Sequence, residues 1–189
     1  LSPAEYREEA ADLVRKGEIP REDWRFDAAE KYAEYQAALE SKGACDFGDL
    51  ICKAVHLLRA RADVRREVSG RFSDVLVDEF QDVNPAQVAF LDCLLEGNRN
   101  IWAVGDDDQT LYAFRSADVG FILGFKDRWP GCAIHKLGVN YRSPPRILAP
   151  ALALIGMNGR RFDKPLESAY RKGPKPVVVQ CANADSEAA

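Results

Sequence analysis

Apolar and polar positions along this chain follow two rhythms, and the change from one to the other marks its organisation. Near the start, Ser2-Pro3 opens a helical pattern that runs to about Lys16. Ser2 suits an N-cap, Pro3 suits the first helical position, and Gly17 stops the helix. The stretch from Glu18 to Phe26, with Pro20 and Trp24, reads as a loop. A second helix is expected from about Asp27 to Ser41, with Ala28, Tyr32, Tyr35 and Leu39 on one face and Gly43 closing it. Asp46 caps a third, whose apolar positions Leu50, Ile51, Ala54, Val55 and Leu58 keep helical spacing. The basic positions that follow, Arg59, Arg61, Arg65, Arg66 and Arg71, are interrupted by Asp63 and Glu67. They read as a solvated helical face, with phosphate contact as the minor reading.

The rhythm changes at Val75. Val75-Leu76-Val77 is a short continuous apolar run, the pattern of a buried strand, and it turns abruptly into Asp78-Glu79-Phe80-Gln81-Asp82. Asn84-Pro85 then caps a helix with an apolar face from Gln87 to Leu95. The pattern recurs at Ile101–Val104, a second apolar run, ending in Gly105-Asp106-Asp107-Asp108-Gln109. Two parallel strands joined by one crossover helix would bring Asp78, Glu79, Asp106 and Gln109 to a single crevice at the strands' C-terminal edge, where open α/β sheets bind ligands. Adjacent carboxylates there carry a cost in desolvation and repulsion that a hard divalent cation offsets, and Mg²⁺ commonly arrives with phosphate. A solvated acidic turn is the plainer reading of either cluster alone.

Beyond these strands, Asp118 is expected to cap a helix to about Arg128 that buries Phe121, Ile122 and Phe125 and ends at Trp129-Pro130-Gly131. Cys132–Leu137 reads as a third strand, more readily part of a second sheet than of the first. Ser143 and its prolines start a helix through about Met157, with Ile147, Leu148, Leu152 and Ile155 buried. Asn158–Pro176 is loop-like and basic, and Val177–Gln180 reads as a last strand. Two positions invite chemistry at the junction before the helix: the aromatic Tyr141 suits a base and the forked Arg142 suits phosphate, unless Arg142 pairs with a structural carboxylate.

Composition narrows the classes. With 189 residues, 47% of them hydrophobic and 30% charged, the chain is of ordinary globular make-up and long enough for one or two domains. It has no apolar run long enough to span a membrane and no signal-peptide pattern, and it begins with Leu1, so it is expected to be a piece of a longer cytoplasmic protein. The five cysteines form no C-x-x-C pair, which argues against a disulfide framework and a zinc site and for reduced thiols. The two histidines, His56 and His135, stand apart. A net charge of −4 leaves nucleic-acid binding to a local positive groove. Tyr112 and Phe114, next to Arg115, read from spacing as core more readily than as a base-stacking pair.

Four segments together resemble one family. V-D-E-F-Q-D-V-N at 77–84 resembles the Walker B motif of superfamily 1 DNA helicases of the UvrD/Rep group. V-G-D-D-D-Q-T-L-Y-A-F-R-S-A-D at 104–118 and N-Y-R-S at 140–143 resemble that group's next two motifs, in its order and with similar gaps. D-F-G-D-L at 46–50 is similar to the segment that precedes Walker B there. Thr110 and Ser116 stand where the group commonly has Ser and Gly. The resemblance covers the chain from about Asp46 onward.

This resemblance implies an α/β fold: an incomplete RecA-like (P-loop NTPase) parallel sheet flanked by helices, with an N-terminal helical accessory segment. It divides the chain into residues 1–43, the accessory part, 44–133, the second half of a first motor domain, and 134–189, the beginning of a second. It implies ATP-dependent 3′→5′ unwinding of DNA in repair or replication restart, with ATP, Mg²⁺ and single-stranded DNA as ligands and no membrane partner. By resemblance Asp78 and Glu79 serve the metal, and Glu79 acts as general base on the attacking water. Gln109 senses the γ-phosphate, Tyr141 stacks on adenine, Arg142 reaches the γ-phosphate, Tyr112 and Phe114 contact DNA, and Arg115 positions an acid of the site. No G-x-x-x-x-G-K-[ST] occurs, and the group's later motifs are not in these residues, so the chain by itself is expected to be inactive. Two other classes remain: a divalent-metal hydrolase using the same carboxylates, and a non-catalytic DNA-binding or regulatory module.

Overall fold

The first three helices begin where capping side chains stand. The computed structural model describes residues 2–97, 100–110, 118–183 and 186. They fall into two compact units, Leu1–Val68 with Ala89–Leu94 and Ser69–Val88 with Leu95–Ala189. In the first, α1 (Pro3–Arg15) opens on a reciprocal capping box: Ser2 Oγ accepts the Glu5 N–H at 3.2 Å, and Glu5 accepts the Ser2 N–H at 2.6 Å. Helix α2 (Trp24–Ser41) starts earlier than periodicity suggested, because Asp23 accepts the Arg25 N–H at 3.0 Å and ends the loop there. Helix α3 (Phe47–Ala60) has a second box between Asp46 and Asp49, and α4 (Ala62–Ser69) follows directly. Gly17 and Gly43, with φ of 75° and 60°, turn the chain out of α1 and α2 in the left-handed region that glycine enters freely.

Helix α1 packs on α2 through the small buried residues Ala10 and Ala29, and Val55 and Leu58 bury the inner face of α3. Two positions expected on apolar faces are exposed. Leu50 lies outward on α3, and Tyr35 leaves its ring exposed while its hydroxyl donates to Asp46 Oδ2 at 3.1 Å. Tyrosine can do this because its polar tip needs a partner more than its ring needs full burial.

The chain as a whole is helix-rich α/β, and its small parallel sheets lie in the second unit. Strand β1 (Val75–Val77) pairs in parallel with β2 (Ile101–Ala103), in the register Val75↔Ile101, Leu76↔Trp102, Val77↔Ala103. Helix α5 (Pro85–Leu94) makes the crossover, and Asn84 and Gln87 exchange side-chain-to-backbone bonds at its start (2.9 and 3.0 Å). The apolar run at 75–77 implied burial on both faces. Val75 and Val77 are half-buried, whereas Leu76 and its register neighbour Trp102 are 76% and 65% exposed. Among the described residues the pair is therefore covered on one face only.

Phe80, just past β1, is the anchor of this unit, at 0% exposure. Its ring meets Phe125 edge-on at 5.2 Å and Trp129 at 5.9 Å. The helix expected over 118–128 forms as two single turns, α6 (Gly120–Leu123) and α7 (Phe125–Arg128). Gly124 separates them, its N–H on the Gly120 carbonyl at 2.8 Å, where a Cβ would come within 2.9 Å of that oxygen. The bend directs Phe125 and Trp129 at Phe80.

Further along, β3 (Val139–Asn140) pairs in parallel with β4 (Glu167–Ser168) in a sheet of its own. Neither 132–137 nor 177–180 is a strand, contrary to the apolar patterns there. Their backbone finds no ladder partner among the described residues, and Leu137, Val177, Val178 and Val179 are exposed. The pairing went instead to Glu167–Ser168, inside the stretch expected to be loop. Helix α8 (Pro145–Ile155) stops at Gly156, a little short of Met157, and of the four positions expected to be buried it buries Leu148, half-buries Leu152 and Ile155 and leaves Ile147 exposed.

Charge ties residues 161–164 to the end of β2. Arg161 grips Asp108 in bidentate fashion at 2.8 and 2.7 Å. The Phe162 N–H donates to Asp107 Oδ2 at 2.7 Å. Lys164 Nζ pairs with Asp106, with Asp107 at 2.6 Å and with Asp108 at 2.9 Å. Arg161 and then Lys164 hold the Asp108 carboxyl below its ordinary range. Burial pulls Lys164 downward, but its three carboxylate partners outweigh that and raise it.

Two outcomes follow for stability. Phe80→Ala removes the ring that fills the second unit's core and should cost about 3–5 kcal/mol, read by chemical denaturation of the chain. The clasp should be pH-bounded on both sides. A lowered Asp contributes stability above its unfolded value, about 3.9, and loses it as pH falls through the folded value; a raised Lys contributes fully below about 10.4 and loses it as pH rises through its folded value. The difference in denaturation midpoint between the parent and Lys164→Met should be flat from about pH 5 to pH 9 and shrink below about pH 4.

Candidate functional site

The C-terminal edge of β1 and β2 gathers the polar residues. After Val77 the chain exposes Asp78 and then Glu79, whose φ of 50° puts it in the left-handed region. A non-glycine residue there stores about 1–3 kcal/mol and persists only where its surroundings hold it. Here several bonds do. Asp78 Oδ1 accepts the Glu79 N–H at 2.9 Å, and the Glu79 carbonyl accepts the Asp82 N–H at 2.9 Å, closing the turn Phe80–Asp82. The Val104 N–H donates to the Val77 carbonyl and the Phe80 N–H to the Val104 carbonyl, each at 2.9 Å, so the pairing continues past the last strand residue.

Gln81, 2% exposed, bridges the two strand ends. Its Nε2 donates to Glu79 Oε2 at 2.7 Å, and its Oε1 accepts the Asp106 N–H at 2.9 Å. Gly105 permits the approach: a Cβ there would lie 2.7 Å from Gln81 Oε1 and 2.8 Å from Ile122 Cδ1.

Asp106 caps the turn Asp107–Gln109, accepting the Asp108 N–H at 3.2 Å. The exposed Gln109 donates Nε2 to Asp106 Oδ2 at 2.6 Å. Burial raises the Asp106 carboxyl, but Lys164, Gln109 and the Asp108 amide together hold it below the ordinary aspartate range. Asp78, Glu79, Asp106 and Gln109 stand at one edge of a parallel pair, with Gln81 linking Glu79 to the Asp106 backbone.

Tyr141 and Arg142 stand on a separate turn after β3. Asn140 Oδ1 accepts the N–H groups of Arg142 (3.0 Å) and Ser143 (2.7 Å). Ser168 Oγ donates to the Ser143 carbonyl at 2.7 Å, and the Tyr170 hydroxyl to the Tyr141 carbonyl at 2.8 Å. This presents both side chains outward. Among the described residues, no hydrogen bond or ion pair joins Arg142 to Asp78, Glu79 or Gln109, nor to a structural carboxylate. Tyr112, Phe114 and Arg115 lie outside the described residues.

Sequence reasoning passed over Gln81, Arg161, Lys164, Ser168 and Tyr170. Gln81 carried a signal, an amide among acids directly after a strand and beside an aromatic anchor. Lys164 and Arg161 carried none beyond a basic loop, because their partners lie more than fifty residues earlier.

The family model described as UvrD/REP helicase N-terminal domain matches residues 4–130. The chain is 33% identical over 168 residues to the putative ATP-dependent DNA helicase YjcD of Bacillus subtilis (strain 168), a match covering 89% of this chain and 22% of that protein. It is 37% identical over 151 residues to DNA helicase II of Escherichia coli (strain K12), covering 80% of this chain and 21% of the relative. Against the ATP-dependent DNA helicase PcrA of Leuconostoc citreum it is 35% identical over 160 residues, 85% of this chain and 21% of that protein. The chain thus spans less than a quarter of the length of these relatives. With both strand-end clusters and the helices before residue 130 inside the matched region, the chain belongs to the UvrD/REP helicase N-terminal domain family.

Proposed function

We propose that this chain supplies the water-activating half of an ATP-hydrolysing site in a longer, cytoplasmic, 3′→5′ DNA helicase that moves on single-stranded DNA. The observation that carries the reading is the parallel β1–β2 pair, which sets Asp78-Glu79 and Asp106–Gln109 at one edge. The names of the relatives, ATP-dependent DNA helicases, support the chemistry. In this reading residues 1–43 are an accessory element, 44–133 the second half of a first RecA-like motor domain and 134–189 the beginning of a second. No helix among the described residues is long and apolar enough to cross a membrane.

Asp78 and Glu79 are the residues that would hold Mg²⁺. Their donor set fits: they are adjacent, exposed carboxylates at a strand end, and neither is paired with a cation of the described residues. Mg²⁺ favours that arrangement, taking one or two carboxylates and completing its shell with water and phosphate oxygens. Bound there, it would neutralise charge on the β- and γ-phosphates. Glu79 orients the attacking water and accepts its proton; its constrained backbone fixes where the carboxylate begins. Gln109 exchanges its bond to Asp106 for the γ-phosphate and so reports its presence. Tyr141 stacks on the adenine, and Arg142 brings cationic charge to the γ-phosphate from the far wall. Tyr112 and Phe114 stack on DNA bases, with Arg115 positioning an acid of the site.

In the polypeptide that carries this chain, Glu79→Gln should lower ATP turnover about 10²–10⁴-fold while nucleotide affinity stays near that of the parent, since glutamine keeps the shape but accepts no proton. Asp78→Ala should instead weaken Mg-dependent nucleotide binding itself. Steady-state turnover alongside equilibrium binding of a fluorescent nucleotide separates the two, and full turnover in Glu79→Gln would refute the assignment. For DNA, Tyr112→Ala or Phe114→Ala should weaken single-strand binding by about 1–3 kcal/mol with the same dependence on salt, because stacking releases no counterions. A binding titration across salt concentrations reads both quantities, and a changed slope at constant low-salt affinity would count against stacking.

A further inference from the structure

Primary amides are rarely buried without a purpose for both ends, and Gln81 has both ends engaged across 25 residues of sequence. Its orientation follows from its partners. The Asp106 N–H can only donate, so it faces Oε1; the Glu79 carboxylate can only accept, so it faces Nε2. A flipped amide would set donor against donor and acceptor against acceptor. The side chain is therefore held in one state, in a place 2% exposed where an unmatched contact is costly. Gly105 adds a second constraint, since any Cβ would meet Gln81 Oε1 at 2.7 Å and the Gln81 backbone nitrogen at 3.2 Å.

We infer that Gln81 is a positioning residue for Glu79: its buried amide fixes the carboxylate that receives the proton from water and ties that carboxylate to the backbone of the segment bearing Gln109. This rests on the reading of Glu79 as general base. A glutamate at an exposed strand end has several rotamers open to it, and a general base is effective only in the fraction of time it points at the water. A charge-assisted bond of 2.7 Å from a side chain that cannot itself turn removes that freedom. The same amide makes the link two-ended. The Asp106 N–H on Oε1 belongs to the turn that carries Gln109, so a shift of that turn is passed to Glu79 through one rigid group.

The test uses Gln81→Met, which keeps the length and bulk of the side chain and removes its bonds to Glu79 and the Asp106 amide and the longer one, 3.5 Å, to Asp82 Oδ2, and Gly105→Ala, which keeps Gln81 and pushes its amide out of place. In the 189-residue chain, Gln81→Met should accelerate hydrogen exchange at the Asp106 amide at least tenfold. The Val104 amide, bonded to Val77, should stay protected; equal acceleration at both would mean general loosening and would overturn the proposal. In the polypeptide that turns over ATP, both variants should lower kcat tenfold or more while KM and the affinity for a fluorescent non-hydrolysable ATP analogue stay within twofold. Unchanged kcat, or a fall in kcat matched by weaker binding, overturns it. Combining Gln81→Met with Glu79→Gln should cost no more than about twofold beyond Glu79→Gln alone, because there is no longer a base to aim. Glu79→Gln run in parallel keeps the two ideas apart. Turnover surviving in that variant removes the general-base reading, whereas turnover lost there and intact in Gln81→Met removes only the role of Gln81.

Discussion

Everything at the strand edge depends on a parallel pairing of three residues against three, which is too short to be rigid by itself. Parallel pairs this brief gain little from their own ladder. The chain reinforces the pairing on the far side of the last paired residue, with backbone bonds from Val104 to Val77 and from Phe80 to Val104. The Phe80 ring then sits edge-on to Phe125 and Trp129, burying the start of the acidic turn in the core. The acidic residues are thus carried by a backbone fastened from below, while their own side chains stay in water. Glu79 can hold a strained φ only because the residues on either side of it are fixed.

How much of this was legible follows from range in sequence. Caps, glycine stops and the crossover helix depend on neighbours within four residues, and Ser2, Asp46, Asn84, Gly17 and Gly43 act as their residue types dictate. The two acidic strand ends were readable because each is a local switch from apolar to charged. What failed was whatever needed a partner. Cys132–Leu137 and Val177–Gln180 have strand composition, but a strand is defined by a ladder, and the ladder formed between Val139-Asn140 and Glu167-Ser168. Composition at Glu167 gave no hint of it. Lys164 likewise looked like one charge in a basic loop until its three aspartates were brought beside it.

The two acidic clusters look alike in sequence and differ in how their charge is met. Asp106, Asp107 and Asp108 are satisfied from within the chain, by Lys164, Arg161 and the Phe162 amide, and the lowered Asp106 and Asp108 carboxyls reflect it. Asp78 and Glu79 form no ion pair with any described residue. One strand end therefore has its cations within the chain, and the other meets none among the described residues. Asp106 thereby holds Gln109 through one carboxylate oxygen while Lys164 holds the other, a task distinct from the metal-binding one proposed for Asp78 and Glu79.

A consequence for coupling follows from where the internal cations come from. Lys164 and Arg161 lie between the Tyr141-Arg142 turn and the end of the chain, and Ser168 and Tyr170, just beyond them, brace that turn directly. One continuous stretch, 161–170, thus grips the end of β2 with its charged residues and the Tyr141–Ser143 backbone with its hydroxyls. The Gln81 amide then connects the Asp106 backbone to Glu79. The groups proposed to recognise adenine and γ-phosphate and the group proposed to activate water are joined by hydrogen bonds and ion pairs from this chain, in addition to its two short parallel pairs. A site divided between segments far apart in sequence needs such connections if the arrival of one ligand is to align all of its parts, and short polar bonds with fixed donors supply them where three-residue strands cannot.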